Sequence, residues 1–406
     1  MLVSDGLLRS AVGSGFYVEN GMTRRQSVQP IKQQRSAALS DRAIPDGVIN
    51  FDNGQPALEL FPRAKWNKAV SAAMLEIPAE ALGYDLPQGR PELRTALCEY
   101  LRKSQGLSCN PENILITSGA KQAITLAAEC LLSEQKEVWT EDPAPALLRQ
   151  LLACHTKRIV PFPVDGYGLN PDAFPPDGKP ALIIASPARQ FPTGAIMPMK
   201  CRMALIEFAE RAGAYILEDN FESEFCYDAP PSSSLYELAS ERVLSVGTFS
   251  KVLYPSVRLG YTTTPTELMP VLCERKRLSD HHTNPVYQLA LAAFIMDGTL
   301  EKHVRRMKRE YRARRDCLME CLQKLFGDGV HISGEATGMN LVAAFRDVCF
   351  TDESIQELLR CGVYAAPVER QGQRTNELIL RYAGLTKDEL ASGTERLRKG
   401  IEGIDI

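Results

Sequence analysis

The chain has 406 residues, 44% hydrophobic and 24% charged, which is the composition of an ordinary globular protein. Its formal net charge of −3, with both signs mixed along the chain, excludes a large basic nucleic-acid footprint, and no run of eighteen apolar residues offers a membrane span. The length exceeds what one hydrophobic core usually carries, so a larger and a smaller domain are expected.

In chain order, residues 19–50 are polar and non-periodic and read as a linker or arm. From about 113 to 262, short apolar, β-branched runs alternate with helical stretches. NILIT (113–117) precedes AKQAITLAAECLL, KEVWTED (136–142) precedes PALLRQLLAC, and KRIVPFPV (157–164) follows. PALIIAS (180–186) and AYILED (214–219) flank MALIEFAERAG, and VLSVGTF (243–249) and RLGYTTT (258–264) complete the series. The alternation predicts an α/β fold, a mostly parallel seven-stranded sheet sandwiched by helices, as a large domain over 51–285. Residues 285–327 are helical with a break near Gly298, and their basic run reads as the solvated face of a long helix. GVHIS, NLVAAF and ELILRYA then alternate with helices, so 286–406 reads as that long helix followed by a smaller α+β domain.

Eleven cysteines, an odd number without a CxxC pair, read as reduced core thiols of a cytoplasmic protein. The five histidines lack metal-ligand spacing, so no metal site is expected. The N-terminus has neither a positive start nor a long apolar core, which agrees with a cytoplasmic location.

In sheets of this kind ligands bind beyond the carboxyl ends of the strands, and the unusual residues fall there. TSGAKQA places Ser118 and Gly119 between a strand and a helix whose first residues are Ala120 and Lys121, a turn that serves equally as a plain helix cap or as an anion site. ILEDNF ends a strand with Glu218 and Asp219, either of which could cap a helix or pair with a cation. SVGTFSKVLYPSVRLGY sets Lys251 among Thr248 and Ser250, with Arg258 seven residues on. Together these pieces match pyridoxal 5′-phosphate, which needs a lysine for an imine, a carboxylate at its ring nitrogen and a dense phosphate cradle. Ser118, the helix N-terminus after it, Thr248, Ser250 and the bidentate fork of Arg258 would make that cradle.

At these residues the chain resembles the aminotransferase-type half of MocR-type (GabR-like) regulators, which are fold-type I pyridoxal-phosphate proteins. The resemblance runs from about residue 50 to the C-terminus, on FDNGQPALELFPRAKW, GYDLPQGRPELR, TSGAKQA, ARQFPTG, EDNFESEF, GTFSKVLYPSVRLGY and YQLALAAFIMDGTLEKHVRRMKREYRARR. It implies that Lys251 carries the Schiff base, Asp219 pairs with the pyridine nitrogen and Gln190 lies near the ring. It implies too that Arg381, in LRYAG, grips a substrate carboxylate. Tyr84 would reach the phosphate of a partner subunit, which implies a homodimer with shared sites. Residues 1–18, LVSDGLLRSAVGSGFYV with its initial Met, resemble the last helix and wing of a GntR-type winged helix-turn-helix, without the recognition helix that would precede it. Either the chain starts late or it descends from a regulator that no longer binds DNA; a simple N-terminal arm is the plainer alternative. DNA is expected as a partner only with an upstream winged-helix domain.

Three positions depart from the family pattern. Phe221 stands where a tyrosine would hydrogen-bond the cofactor's phenolic oxygen, Ala144 or Pro145 where an aromatic would stack on the ring, and Arg189 where a histidine precedes Gln190. Arg189 becomes a candidate substrate-binding or donor residue. The expected function is an aminotransferase-type enzyme acting on an amino acid, with altered chemistry at the ring. The alternative is an effector-sensing domain of a transcriptional regulator.

Overall fold

The computed structural model describes residues 8–11, 15–18, 44–227 and 233–404. Leu8–Ala11 (β1) and Gly15–Val18 (β2) form an antiparallel ladder with Leu8 opposite Val18. This ladder belongs to one compact unit and everything from Asp46 onward to another. The rest of the expected winged-helix remnant, and residues 19–43 of the expected linker, lie outside the described residues. The last two linker residues, Ile49–Asn50 (β3), are strand.

The central sheet follows from the apolar runs. Its strands are Ile114–Thr117 (β4), Glu137–Asp142 (β5), Arg158–Asp165 (β6), Gly168–Leu169 (β7), Leu182–Ala185 (β8), Tyr215–Asp219 (β9), Val243–Thr248 (β10) and Gly260–Thr263 (β11). They lie in the order β4-β11-β10-β9-β8-β5-β6-β7. β11 runs antiparallel to both neighbours and β7 antiparallel to β6; the other pairings are parallel. All seven strands read from the sequence are present, and the eighth, β7, is a two-residue edge strand too short for a periodic signal.

Alternation along each strand builds two cores. Ile183 and Ala185 of β8 face one apolar cluster, Leu182 and Ile184 the other. Helix Arg63–Glu76 (α1) and helix Pro91–Gln105 (α2) belong with the first cluster, and Ala120–Leu131 (α3) covers the second. Ala146–Ala153 (α4) follows β5, while Met199–Ala212 (α5) returns to the first face through Leu205, Ile206, Phe208 and Ala209. Leu235–Leu238 (α6) and Met269–Ser279 (α7) flank β10 and β11. β4 and β8 are buried at every position, and burial on both faces explains their near-continuous apolar runs.

The helical stretch divides into Pro285–Met296 (α8) and Thr299–Phe326 (α9) around Gly298, whose φ of 73° ends the first helix and starts the second. A four-stranded antiparallel sheet follows, with Val330–Ser333 (β12), Asn340–Phe345 (β13), Ala366–Arg370 (β15) and Gln373–Arg381 (β16) in the order β12-β13-β16-β15. Between them lie Asp352–Arg360 (α10) and Val363–Tyr364 (β14), which pairs with β3; Lys387–Glu402 (α11) closes the chain. β15 escapes the sequence reading because Pro367 disguises it, and it is an edge strand with a register shift beside that proline. The cysteine expectation is corrected in one respect: all eleven are thiols, but none is fully buried. None lies on a strand of either sheet, where the core is built. Among the described residues no helix is long and apolar enough to cross a membrane.

Candidate active site

β4 and β10 run in the same direction, because each is antiparallel to β11. Their carboxyl ends therefore meet on the same edge as those of β8 and β9. Thr117 ends β4, and Gly119, at φ 102°, turns the chain into α3. A Cβ at Gly119 would sit 3.2 Å from both terminal nitrogens of Arg258, so the glycine opens the space over that guanidinium. Arg258 takes a left-handed conformation (φ 49°) after the Pro255–Val257 turn and donates to the Ser118 carbonyl. Thr248 Oγ1 donates to Ser250 Oγ at 3.1 Å and accepts from the Ser250 N–H at 3.2 Å. Ser118 Oγ donates to Asp280, which Lys276 and Gln122 also hold. Ala120 and the exposed Lys121 form the first turn of α3. Hydroxyls, a guanidinium, a helix N-terminus and a side-chain-free turn converge here, and a phosphate fits them.

Asp219 ends β9. Its Oδ1 is buried and finds no hydrogen-bond partner among the described residues. Burial pushes this carboxyl up to about 7, with Glu222 adding repulsion, while the Phe221 backbone N–H opposes the shift. A buried acceptor lacking a donor fits the protonated nitrogen of a pyridine ring.

Lys251 lies just past β10, and its Nζ donates to the Gly54 carbonyl at 2.7 Å. Burial lowers its pKa, Glu222 works against that, and Arg381 and Arg189 add to the lowering. Gly54 is a point of convergence: a Cβ there would lie 3.5 Å from Lys251 Nζ and 3.3 Å from a terminal nitrogen of Arg381. Arg381, the last residue of β16, pairs through Nε with Asp52 at 3.2 Å and stands 5.0 Å over the Phe191 ring.

Other candidates have different surroundings. Gln190 is fully buried; its amide donates to the Phe191 carbonyl in its own loop and to Glu141 and the Pro143 carbonyl at the end of β5, and accepts from Thr193, so it ties two strand-end loops together. Arg189 is also buried, held by the Thr337 carbonyl, Asn340 and Glu222. A substrate would have to compete with those partners. Phe221 packs edge-on to Phe191 at 6.1 Å, beside Val342, Val368 and Ile379. Ala144 is buried and Pro145 precedes α4. Tyr84 is 86% exposed and its ring lies tilted against His281 at 5.0 Å, next to Asp280. The sequence reading gave no role to Glu222, Asp52 or Gly54, although all three lie in quoted motifs. A second acid three residues beyond Asp219 was the available signal for Glu222.

A family model for aminotransferase class I and II matches residues 46–397. The probable rhizopine catabolism regulatory protein MocR of Rhizobium meliloti is 30% identical over 422 residues, covering 100% of this chain and 85% of that protein. The 2-aminoadipate transaminase of Thermus thermophilus is 27% identical over 368 residues, 88% of this chain and 91% of that one. Among solved structures, alpha-aminoadipate aminotransferase LysN of Thermus thermophilus, complexed with N-(5′-phosphopyridoxyl)-L-leucine, superposes with a TM-score of 0.80. It is 26% identical, with 89% of this chain and 94% of that chain covered. Kynurenine aminotransferase of Pyrococcus horikoshii gives a TM-score of 0.81 at 25% identity, covering 88% and 91%. This chain belongs to the class I and II aminotransferase family, of fold type I, whose cofactor is pyridoxal 5′-phosphate.

Proposed function

We propose that this chain is an aminotransferase-type enzyme acting on an α-amino acid through Lys251. The observation that carries the reading is the convergence of Lys251 and Arg381 on Gly54, with the unpartnered Asp219 oxygen at the end of the neighbouring strand. Pyridoxal phosphate supplies an aldehyde for amines and an electron-accepting ring when bound. Ser118, Thr248, Ser250 and Arg258 would hold its phosphate, and Asp219 would pair with its protonated ring nitrogen. Arg381 binds the substrate carboxylate through its terminal nitrogens while Asp52 keeps Nε, which orients the Cα–H bond. Lys251 Nζ, with its pKa lowered by burial, takes that proton and returns it.

Tyr84 lies in an exposed segment with Leu82 and Leu86, and Met74, Leu75 and Met296 are exposed as well. Large apolar side chains left in solvent support burial against a second copy, with Tyr84 completing the partner's cradle. The test is amino-acid-dependent formation of a 2-keto acid by cofactor-loaded protein, with sedimentation for the dimer. A protein that binds the cofactor and amino acids but makes no keto acid with any of them sinks the enzyme reading.

The second reading, effector sensing in a MocR-type regulator, is supported by the regulatory relative whose match includes residues 1–45 and the β1–β2 ladder. An amino acid that changes the cofactor's absorbance without turnover would favour it.

A further inference from the structure

The sequence reading passed over a buried ionic chain that ends on the reactive lysine. Glu222 lies in the turn after β9 and is 2% exposed. One of its oxygens, Oε2, is clamped twice: Arg189 Nη1 stands 3.2 Å away and the Met339 N–H donates at 3.1 Å. The other, Oε1, is buried without a hydrogen-bond partner among the described residues and lies 3.7 Å from Lys251 Nζ. The fold makes room for the clamp. A Cβ at Gly338 (φ 82°) would fall 1.6 Å from Arg189 Nε, so only glycine there lets the arginine pass. Tyr227 and Tyr382 both donate to the Gly338 carbonyl at 2.6 Å and hold that segment in place.

We propose that Glu222 is a positioning residue for Lys251: Arg189 and the Met339 N–H hold one carboxylate oxygen, which aims the other at the lysine amine and steadies it. The inference rests on the reading that Lys251 is the amine that takes the cofactor. A lysine beside a carboxylate holds its proton to higher pH than burial alone allows. The remaining charges at the lysine are Arg381 with its own Asp52, and Arg189, both of which oppose Glu222. Asp219, Glu224 and the phenols of Tyr227, Tyr311 and Tyr382 also feel Glu222. In this pocket an anchored carboxylate therefore balances a wall that is otherwise cationic. It acts on the lysine itself, where the family tyrosine replaced by Phe221 would act on the cofactor.

The experiment uses the cofactor-free full chain. Limiting acetic anhydride labels Lys251 across a range of pH, and the labelled peptide is quantified by mass spectrometry. Glu222→Gln should move the midpoint of the profile down by about one unit, making labelling near neutral pH about tenfold faster. Glu222→Asp, which keeps the charge, should stay close to the parent. Glu222→Gln takes the carboxylate from the buried Arg189, so the paired substitution Arg189→Gln with Glu222→Gln controls for folding; because Arg189 itself lowers the lysine, the paired profile should shift downward by less. A Glu222→Gln profile that superposes on the parent overturns the proposal, as does a paired variant that moves upward or a Glu222→Asp profile that moves as far as Glu222→Gln. Borohydride trapping of added pyridoxal phosphate on the parent separates the two ideas. Failure to trap at Lys251 defeats the reading of function, while the labelling profiles still decide the Glu222 pair.

Discussion

The two walls of the site are built on opposite terms. The cradle of Ser118, Gly119, Thr248, Ser250 and Arg258 is half open: Arg258 is exposed and the hydroxyls lean on each other. The wall of Arg189, Gln190, Glu222 and Asn340 is closed, each side chain buried and bonded to protein. An open set of donors awaits an anion that arrives with its own charge. A closed set cannot rearrange for a ligand and instead imposes a fixed field on what sits between the walls. Lys251 and Asp219 lie at the seam.

The sharpest way to break this picture is at the seam. Lys251→Ala should abolish borohydride-stable attachment of the cofactor entirely, while the open cradle still retains some cofactor non-covalently; mass spectrometry and equilibrium dialysis read the two effects. Asp219→Asn should act with opposite signs in the two states. With cofactor, turnover should fall on the order of 10²–10³-fold, the scale of losing one preorganised charge. Without it, the substitution should flatten the pH dependence of stability. A carboxyl raised from 3.8 to about 7 on folding contributes stability that is complete below its unfolded value and is lost as pH rises through about 7. Thermal unfolding of the cofactor-free pair between acid and neutral pH checks this, and parallel curves for parent and variant would contradict it.

Arg381→Ala tests whether the third cation is a ligand or part of the closed wall. Loss of a charged hydrogen-bonded contact of about 1.5–3 kcal/mol should raise KM for the amino acid roughly ten- to a hundredfold, with kcat less affected. A change in kcat alone would mean that Arg381 serves the protein through Asp52. The smallest effect is expected at Phe221. Phe221→Tyr restores a hydroxyl on the ring wedged against Phe191, and one neutral hydrogen bond of about 0.5–1.5 kcal/mol would lower the pKa seen in the bound cofactor's spectrum by up to about one unit. An unchanged spectral titration would show that the hydroxyl does not reach the phenolic oxygen, and that the field at the ring comes from the closed wall.

The open wall was legible in the sequence; of the closed wall only Gln190 and Arg189 stood out, and their partners did not. TSGAKQA and GTFSKVLYPSVR each carry their residues within one turn after a strand, and the direction of a parallel strand delivers whatever follows it to the ligand edge. Local chemistry and strand periodicity therefore sufficed for the sheet and for bringing Lys251 and the proposed cradle to its ligand edge. The pairing of Arg189 with Glu222, of Arg381 with Asp52, and of Glu222 with Lys251 joins residues from 52 to 381 along the chain. No period or motif records such distances. Arg189 reads as a vacancy filler in a histidine's place until Gly338, 149 positions away, is seen to leave it space. The sequence by itself determined the strands, the helices between them and the grouping of hydroxyls and arginine at the strand ends, because those depend on neighbours in the chain. The tertiary structure alone decided which charges are matched and which carboxylate oxygen is left facing the lysine, because burial and Coulomb forces act through space.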